Sequence, residues 1–137
     1  MSLVASILTE GKAKGEVLIL SEPLSFWGGT NLDTGEIVDV HHPQRSVIIK
    51  NKILFLPGTK GSTAGPGALL ELIDAGNGPA AIVLTKQDTI CVVASSVAAI
   101  ISDKQVPILR INSLSDDISN GEVVEINGNK IIRSKSG

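Results

Sequence analysis

A lysine, a serine and a threonine sit among glycines at residues 57–67, Pro-Gly-Thr-Lys-Gly-Ser-Thr-Ala-Gly-Pro-Gly. Backbone amides unshielded by side chains can turn toward an anion, and a helix N-terminus beyond them adds partial positive charge. Lys60 supplies a full charge, and Ser62 and Thr63 supply hydroxyls. The composition suits a loop that holds an anionic group through Lys60, Gly61 and Thr63, with Ser62 in reach. Two familiar signatures do not describe it. A Walker A loop ends Gly-Lys-[Ser/Thr], whereas the order here is Lys60-Gly61-Ser62. A nucleophile elbow needs one residue between its first glycine and the serine, and Ser62 follows Gly61 directly. Taken alone, the same residues also make an ordinary turn.

Such a loop needs a strand before it and a helix after it. Ile53-Leu54-Phe55-Leu56 reads as a buried strand, and residues 68–76 read as a short helix with Gly76 as its stop. The rest alternates in the same way. Strands are expected at 16–20, 36–40, 80–84 and 106–111, and an alanine-rich helix at 92–101. The run 80–84 lacks polar alternation, as a sheet covered on both faces requires. Asp33-Thr34-Gly35 reads as a turn, and Asn127-Gly128-Asn129 should join strands at 122–126 and 130–133 as a hairpin. Between the first two strands, Phe26-Trp27-Gly28-Gly29-Thr30 forms a tight aromatic–glycine corner. There Gly28, Gly29 and Thr30 either permit an unusual turn or let backbone approach a ligand closely. The expectation is one compact α/β domain over residues 1–137 with a glycine-lined edge.

Composition excludes several roles. The net charge of −2 gives no nucleic-acid footprint, and two Phe, one Trp and no Tyr leave no base-stacking platform. The core must then be aliphatic. One cysteine, Cys91, cannot form an internal disulfide, and no Cys/His cluster is spaced for a metal or iron–sulfur centre, so no metal ligand is expected in this chain. No apolar run approaches the roughly 20 residues of a membrane span, and a cytoplasmic location is expected.

The order of several motifs carries a resemblance. Ser21-Glu22-Pro23-Leu24-Ser25-Phe26-Trp27-Gly28-Gly29-Thr30 is followed by Thr34-Gly35-x-Ile37-Val38-Asp39 and His42-Pro43. Gly58-x-Lys60-Gly61-Ser62 and Gly76-Asn77-Gly78-Pro79-Ala80-Ala81-Ile82 come next. Together they resemble the small subunit, or swivel domain, of the aconitase X hydro-lyases over nearly the whole chain. The resemblance implies a swivelling β/β/α fold with a β-barrel-like sheet. It implies a large-subunit partner that carries an iron–sulfur cluster, and Ser62 as the proton acceptor. It also implies one of two activities: dehydration of (R)-5-phosphomevalonate to trans-anhydromevalonate 5-phosphate in an archaeal-type mevalonate pathway, or dehydration of cis-3-hydroxy-L-proline. Thr63, Ala64 and Pro66 depart from a family loop that is commonly richer in serine.

The chemistry agrees with that division. Dehydrating a β-hydroxy acid removes a proton beside a carboxylate and expels hydroxide; an iron Lewis acid helps the hydroxide leave, and a base takes the proton. A serine can serve as that base only in a closed, water-poor cleft with dense positive surroundings. Loop amides, Lys60 and Thr63 suit a phosphate better than a cationic amine, which leans toward the phosphorylated substrate.

Other residues read structurally. Phe26 and Trp27 are expected as core or interface anchors. His41 and His42, adjacent on an extended segment, face opposite ways and lack a third ligand. Asp39 can orient a loop, and Cys91 is a small buried hydrophobe. Two other classes of function stand beside the hydro-lyase: a non-catalytic mobile swivel module and a stand-alone anion-binding protein.

Overall fold

The structure, a computed structural model, describes residues 2–60, 65–86, 88–114 and 118–133. Its strands are β1 (Ser2–Val4), β2 (Ser6–Thr9), β3 (Lys12–Ile19), β4 (Ile53–Leu56), β5 (Ala81–Leu84), β6 (Ile108–Arg110), β7 (Val123–Asn127) and β8 (Lys130–Arg133). The helical segments are a single broken turn α1 (Phe26–Gly29), α2 (Gly65–Asp74) and α3 (Thr89–Ile101).

The strands run in the order β1-β8-β7-β3-β4-β5-β6-β2. β3 through β6 are mutually parallel, and the remaining pairs are antiparallel. β1 and β2 end opposite edges of this order, yet only Ala5 separates them in the chain. One N-terminal segment thus draws the two edges together, and the mixed sheet nearly closes into a barrel. β3 belongs to both halves: Lys12–Glu16 pair with β7, and Val17–Ile19 pair with β4.

Alternation explains the continuous apolar runs. Leu54, Leu56, Ile82 and Leu84 point into one core with Leu69, Leu72 and Ala94 of the helices. Ile53, Phe55, Ala81 and Val83 point into a second core with Val124, Ile126 and Ile131. Both faces of the central strands are therefore covered, giving the expected β/β/α layers. α2 buries Gly65, Ala68, Leu69, Leu72 and Ile73 at helical spacing. It stops where Gly76 adopts φ +81°, with the Gly76 and Asn77 amides donating to Ile73 and Leu72 carbonyls. α3 turns its small residues Cys91, Ala94, Ser95 and Ala98 inward.

The expected strand at 36–40 is reduced to two single bridges, Thr30 with Ile37 and Glu36 with Ile48. Ile37 is fully buried, but Val38 and Val40 on either side of Asp39 face outward and the chain turns at Val40. Two strands the sequence did not suggest, β1 and β2, supply the closing segment. The β7–β8 hairpin forms as expected, with Gly128 at φ +61° in the turn. Among the described residues, no helix is long and apolar enough to cross a membrane.

Candidate functional site

The loop after β4 leaves the sheet at the carboxyl ends of the parallel strands, where open α/β sheets bind ligands. Gly61, Ser62 and Thr63 lie outside the described residues, so the structure gives the two ends of the loop: Pro57 to Lys60 before them and Gly65 after them. The leading end is held by Leu24. The Leu24 amide donates to the Gly58 carbonyl at 3.3 Å, and the Lys60 amide donates to the Leu24 carbonyl at 3.1 Å. The trailing end opens α2, whose first turn carries no acidic residue to compete with an anion at that terminus.

From this anchored backbone the Lys60 side chain reaches outward. It is 53% exposed, and its Nζ lies 3.7 Å from Asp39 Oδ2. Asp39 also accepts the His41 amide at 2.9 Å. That amide is the main reason its carboxyl sits below the usual carboxylate range; partial burial opposes the shift, and the Lys60 ammonium adds to it.

Asp39 in turn borders the aromatic–glycine corner. Gly28 has φ +80°, a conformation that favours glycine, and a Cβ there would meet nothing within 4 Å. Gly29 is buried, its carbonyl accepts the Val38 amide at 2.9 Å, and a Cβ on it would stand 3.9 Å from the Asp39 Cβ. Thr30 is nearly buried, and its hydroxyl donates to the Phe26 carbonyl at 2.8 Å, which ties the corner together. The two aromatics part company. Phe26 is 1% exposed in the core, whereas Trp27 is 58% exposed beside the open face of Gly28.

The structure therefore gathers Lys60, Asp39 and the Gly28–Gly29 corner at one patch around the leading end of the loop. On the other side of Pro57, a cleft of about 470 Å³ opens between the strand ends, with Leu56, Pro57 and Thr85 in its wall. A cleft of about 420 Å³ at the opposite end of the strands includes Lys104. That ammonium is already engaged by the Ile73 and Asp74 carbonyls at 3.1 and 2.8 Å, as a cation closing α2.

The neighbouring candidates have structural duties. His42 is buried, with Nδ1 accepting the Gln44 amide at 3.0 Å and Nε2 3.3 Å from the Glu22 carbonyl; His41 is exposed. Cys91 is fully buried and its thiol is pushed far up by that burial, so it offers no thiolate. Among the described residues, no group of three or more His, Cys, Asp or Glu could hold a metal ion. These residues do not fit an iron–sulfur cluster. Asp88, at the start of α3, was missed from sequence. An Asp before an apolar helix is a capping signal, but nothing in the sequence links it to the glycine loop that it also touches.

The layers and strand order define a swivel-type β/β/α domain. The chain belongs to the aconitase X swivel domain family, whose model matches residues 2–134. It is similar to the cis-3-hydroxy-L-proline dehydratase of Pseudomonas aeruginosa, 36% identical over 117 residues, or 85% of this chain and 20% of the relative. It thus spans about a fifth of the length of that enzyme. It is also similar to the phosphomevalonate dehydratase small subunit of Methanothermobacter thermautotrophicus, 35% identical over 100 residues, or 73% of this chain and 76% of the relative. Among solved structures, aconitase X of Thermococcus kodakaraensis in its holo form superposes with a TM-score of 0.84 at 30% identity, covering 98% of this chain and 99% of that one.

Proposed function

We propose that this chain is the small subunit of a two-chain hydro-lyase that dehydrates (R)-5-phosphomevalonate to trans-anhydromevalonate 5-phosphate. The observation that carries the reading is the position of Lys60: an exposed cation, fixed through its own backbone, immediately before Gly61-Ser62 at the carboxyl ends of the parallel strands. In this reading Lys60, Gly61 and Thr63 hold an anionic group of the substrate, and exposed Gly28 allows close backbone approach, whereas Gly29, expected beside it, is buried and shapes the corner instead. Ser62 takes the proton from the carbon beside the carboxylate. The C–H electron pair becomes the new double bond as the hydroxyl leaves the neighbouring carbon. Thr30 serves by holding the corner in shape.

The partner is the other half of the proposal. In the hydroxyproline dehydratase relative, this domain is one fifth of a longer chain, so the equivalent of the remainder would be a separate large subunit here. The iron–sulfur cluster that the family implies would reside in that subunit. Trp27, Val38 and Val40 are exposed around the Asp39–Lys60 pair and form the apolar part of the docking face. Closing that face would exclude the water that otherwise keeps serine a poor base.

The hydroxyproline dehydratase likeness supports a second substrate, cis-3-hydroxy-L-proline. Assay of the co-expressed pair on both substrates separates them. Phosphomevalonate should be turned over and hydroxyproline left unchanged; the reverse result would move the assignment to the amino acid.

A further inference from the structure

Asp88 carries four hydrogen bonds on one carboxylate, and they run to two separate parts of the chain. Oδ1 accepts the amides of Ile90 at 2.8 Å and Cys91 at 3.3 Å, which caps α3. Oδ2 accepts the amide and the hydroxyl of Thr59, at 2.9 and 2.5 Å. A helix cap needs one acceptor oxygen, which Ser or Asn would supply about as well. The second oxygen is thus free for Thr59, 29 residues earlier in the chain.

The other end of the loop rests on the same turn. A Cβ placed on Gly65 would lie 3.3 Å from Ile90 Cδ1 and Cγ2, so the start of α2 packs directly on the side chain two residues after Asp88. Thr59 before the loop and Gly65 after it are therefore both set by residues 88–90. Leu24 completes the hold from the far side through its two backbone bonds.

We propose that Asp88 is a positioning residue for the reaction. It fixes Thr59, and through it Lys60, to the first turn of α3. This rests on the roles of Ser62 and Lys60 argued above. A carboxylate is required because its two oxygens accept from both elements at once, which a hydroxyl or a carboxamide cannot do.

The test is Asp88→Ser in the complex with its partner. Serine leaves a capping oxygen for α3 but withdraws the one on Thr59. The expected result is a thermal midpoint close to wild type and faster amide exchange at Thr59 and Lys60. kcat should fall by about 10²-fold, the loss typical of a misplacement near 1 Å, with a much smaller change in KM. Thr59→Val, which leaves the cap whole, should lower kcat in the same direction by less. Wild-type exchange at residues 59–60 in both variants would overturn the brace. Faster exchange with unchanged kcat would overturn the positioning role, provided that Ser62→Ala is itself impaired. If Ser62→Ala is fully active as well, the base assignment has failed, and the exchange result still decides the brace.

Discussion

Lys60 Nζ stands 3.7 Å from Asp39 Oδ2, so the cation at the mouth of the glycine loop shares its charge with the corner that carries Trp27. The pair joins two segments that are distant in sequence, and Lys60, 53% exposed against 19% for Asp39, is the partner free to turn outward. Lys60→Ala in the complex should raise KM for the anionic substrate by about tenfold, the low end for loss of a charge-assisted hydrogen bond at an exposed site. Steady-state kinetics reads this directly. An unchanged KM would make Lys60 a solvated lysine paired with Asp39.

The same pair sets a pH expectation. The Asp39 carboxyl is lowered chiefly by the His41 amide, with a smaller contribution from Lys60. A carboxyl lowered in the folded state contributes stability above its unfolded value of about 4, and loses it as acid brings the pH through the lower folded value. Asp39 should therefore keep its charge between about pH 5 and 8, and KM should show no inflection from it there. An inflection in that window that disappears in Asp39→Asn would contradict this.

Phe26 and Trp27 are neighbours with opposite surroundings, and their truncations should separate accordingly. Phe26→Ala removes a buried ring and should cost about 3–5 kcal/mol of stability. Trp27→Ala should leave the thermal midpoint of the isolated chain nearly unchanged, while weakening partner binding by roughly 30-fold, the level of an interface hot spot. Calorimetry on the chain and titration with the partner give the two readings. Tight assembly of Trp27→Ala would place the docking face elsewhere.

Gly28 offers a test of what the corner is for. Its Cβ position is open, so Gly28→Ala meets only the cost of φ +80°, about 1–2 kcal/mol. If backbone approach to substrate or partner matters there, kcat/KM should fall far more than that stability loss accounts for. Activity that tracks stability alone would leave Gly28 as a turn residue.

How much of this was legible in the sequence differs by element. The runs at 53–56 and 80–84 were readable because strands buried on both faces lose their polar alternation, and both cores confirm why. β1 and β2 were not, because their partners β8 and β6 lie at the other end of the chain and Ala5 alone divides them. The alternating segment at 36–40 looked like a strand, but its hydrogen bonds go to Gly29 and Val47 in a loop. The glycine loop and its lysine stood out by composition. Asp88 did not, because the contact that gives it a second role is made across 29 residues. Nor could spacing tell that Phe26 turns inward and Trp27 outward.

The measurement that bears most directly on the central claim is turnover by the two-chain complex carrying Ser62→Ala. Loss of one acid–base group should lower kcat by roughly 10²–10⁴-fold. KM should change far less, because a base acts in the transition state more than in ground-state binding. Assembly and the thermal midpoint should match wild type. A complex that forms normally and keeps near wild-type kcat would contradict the account, move the base to the partner, and leave this loop as a clamp for the substrate anion.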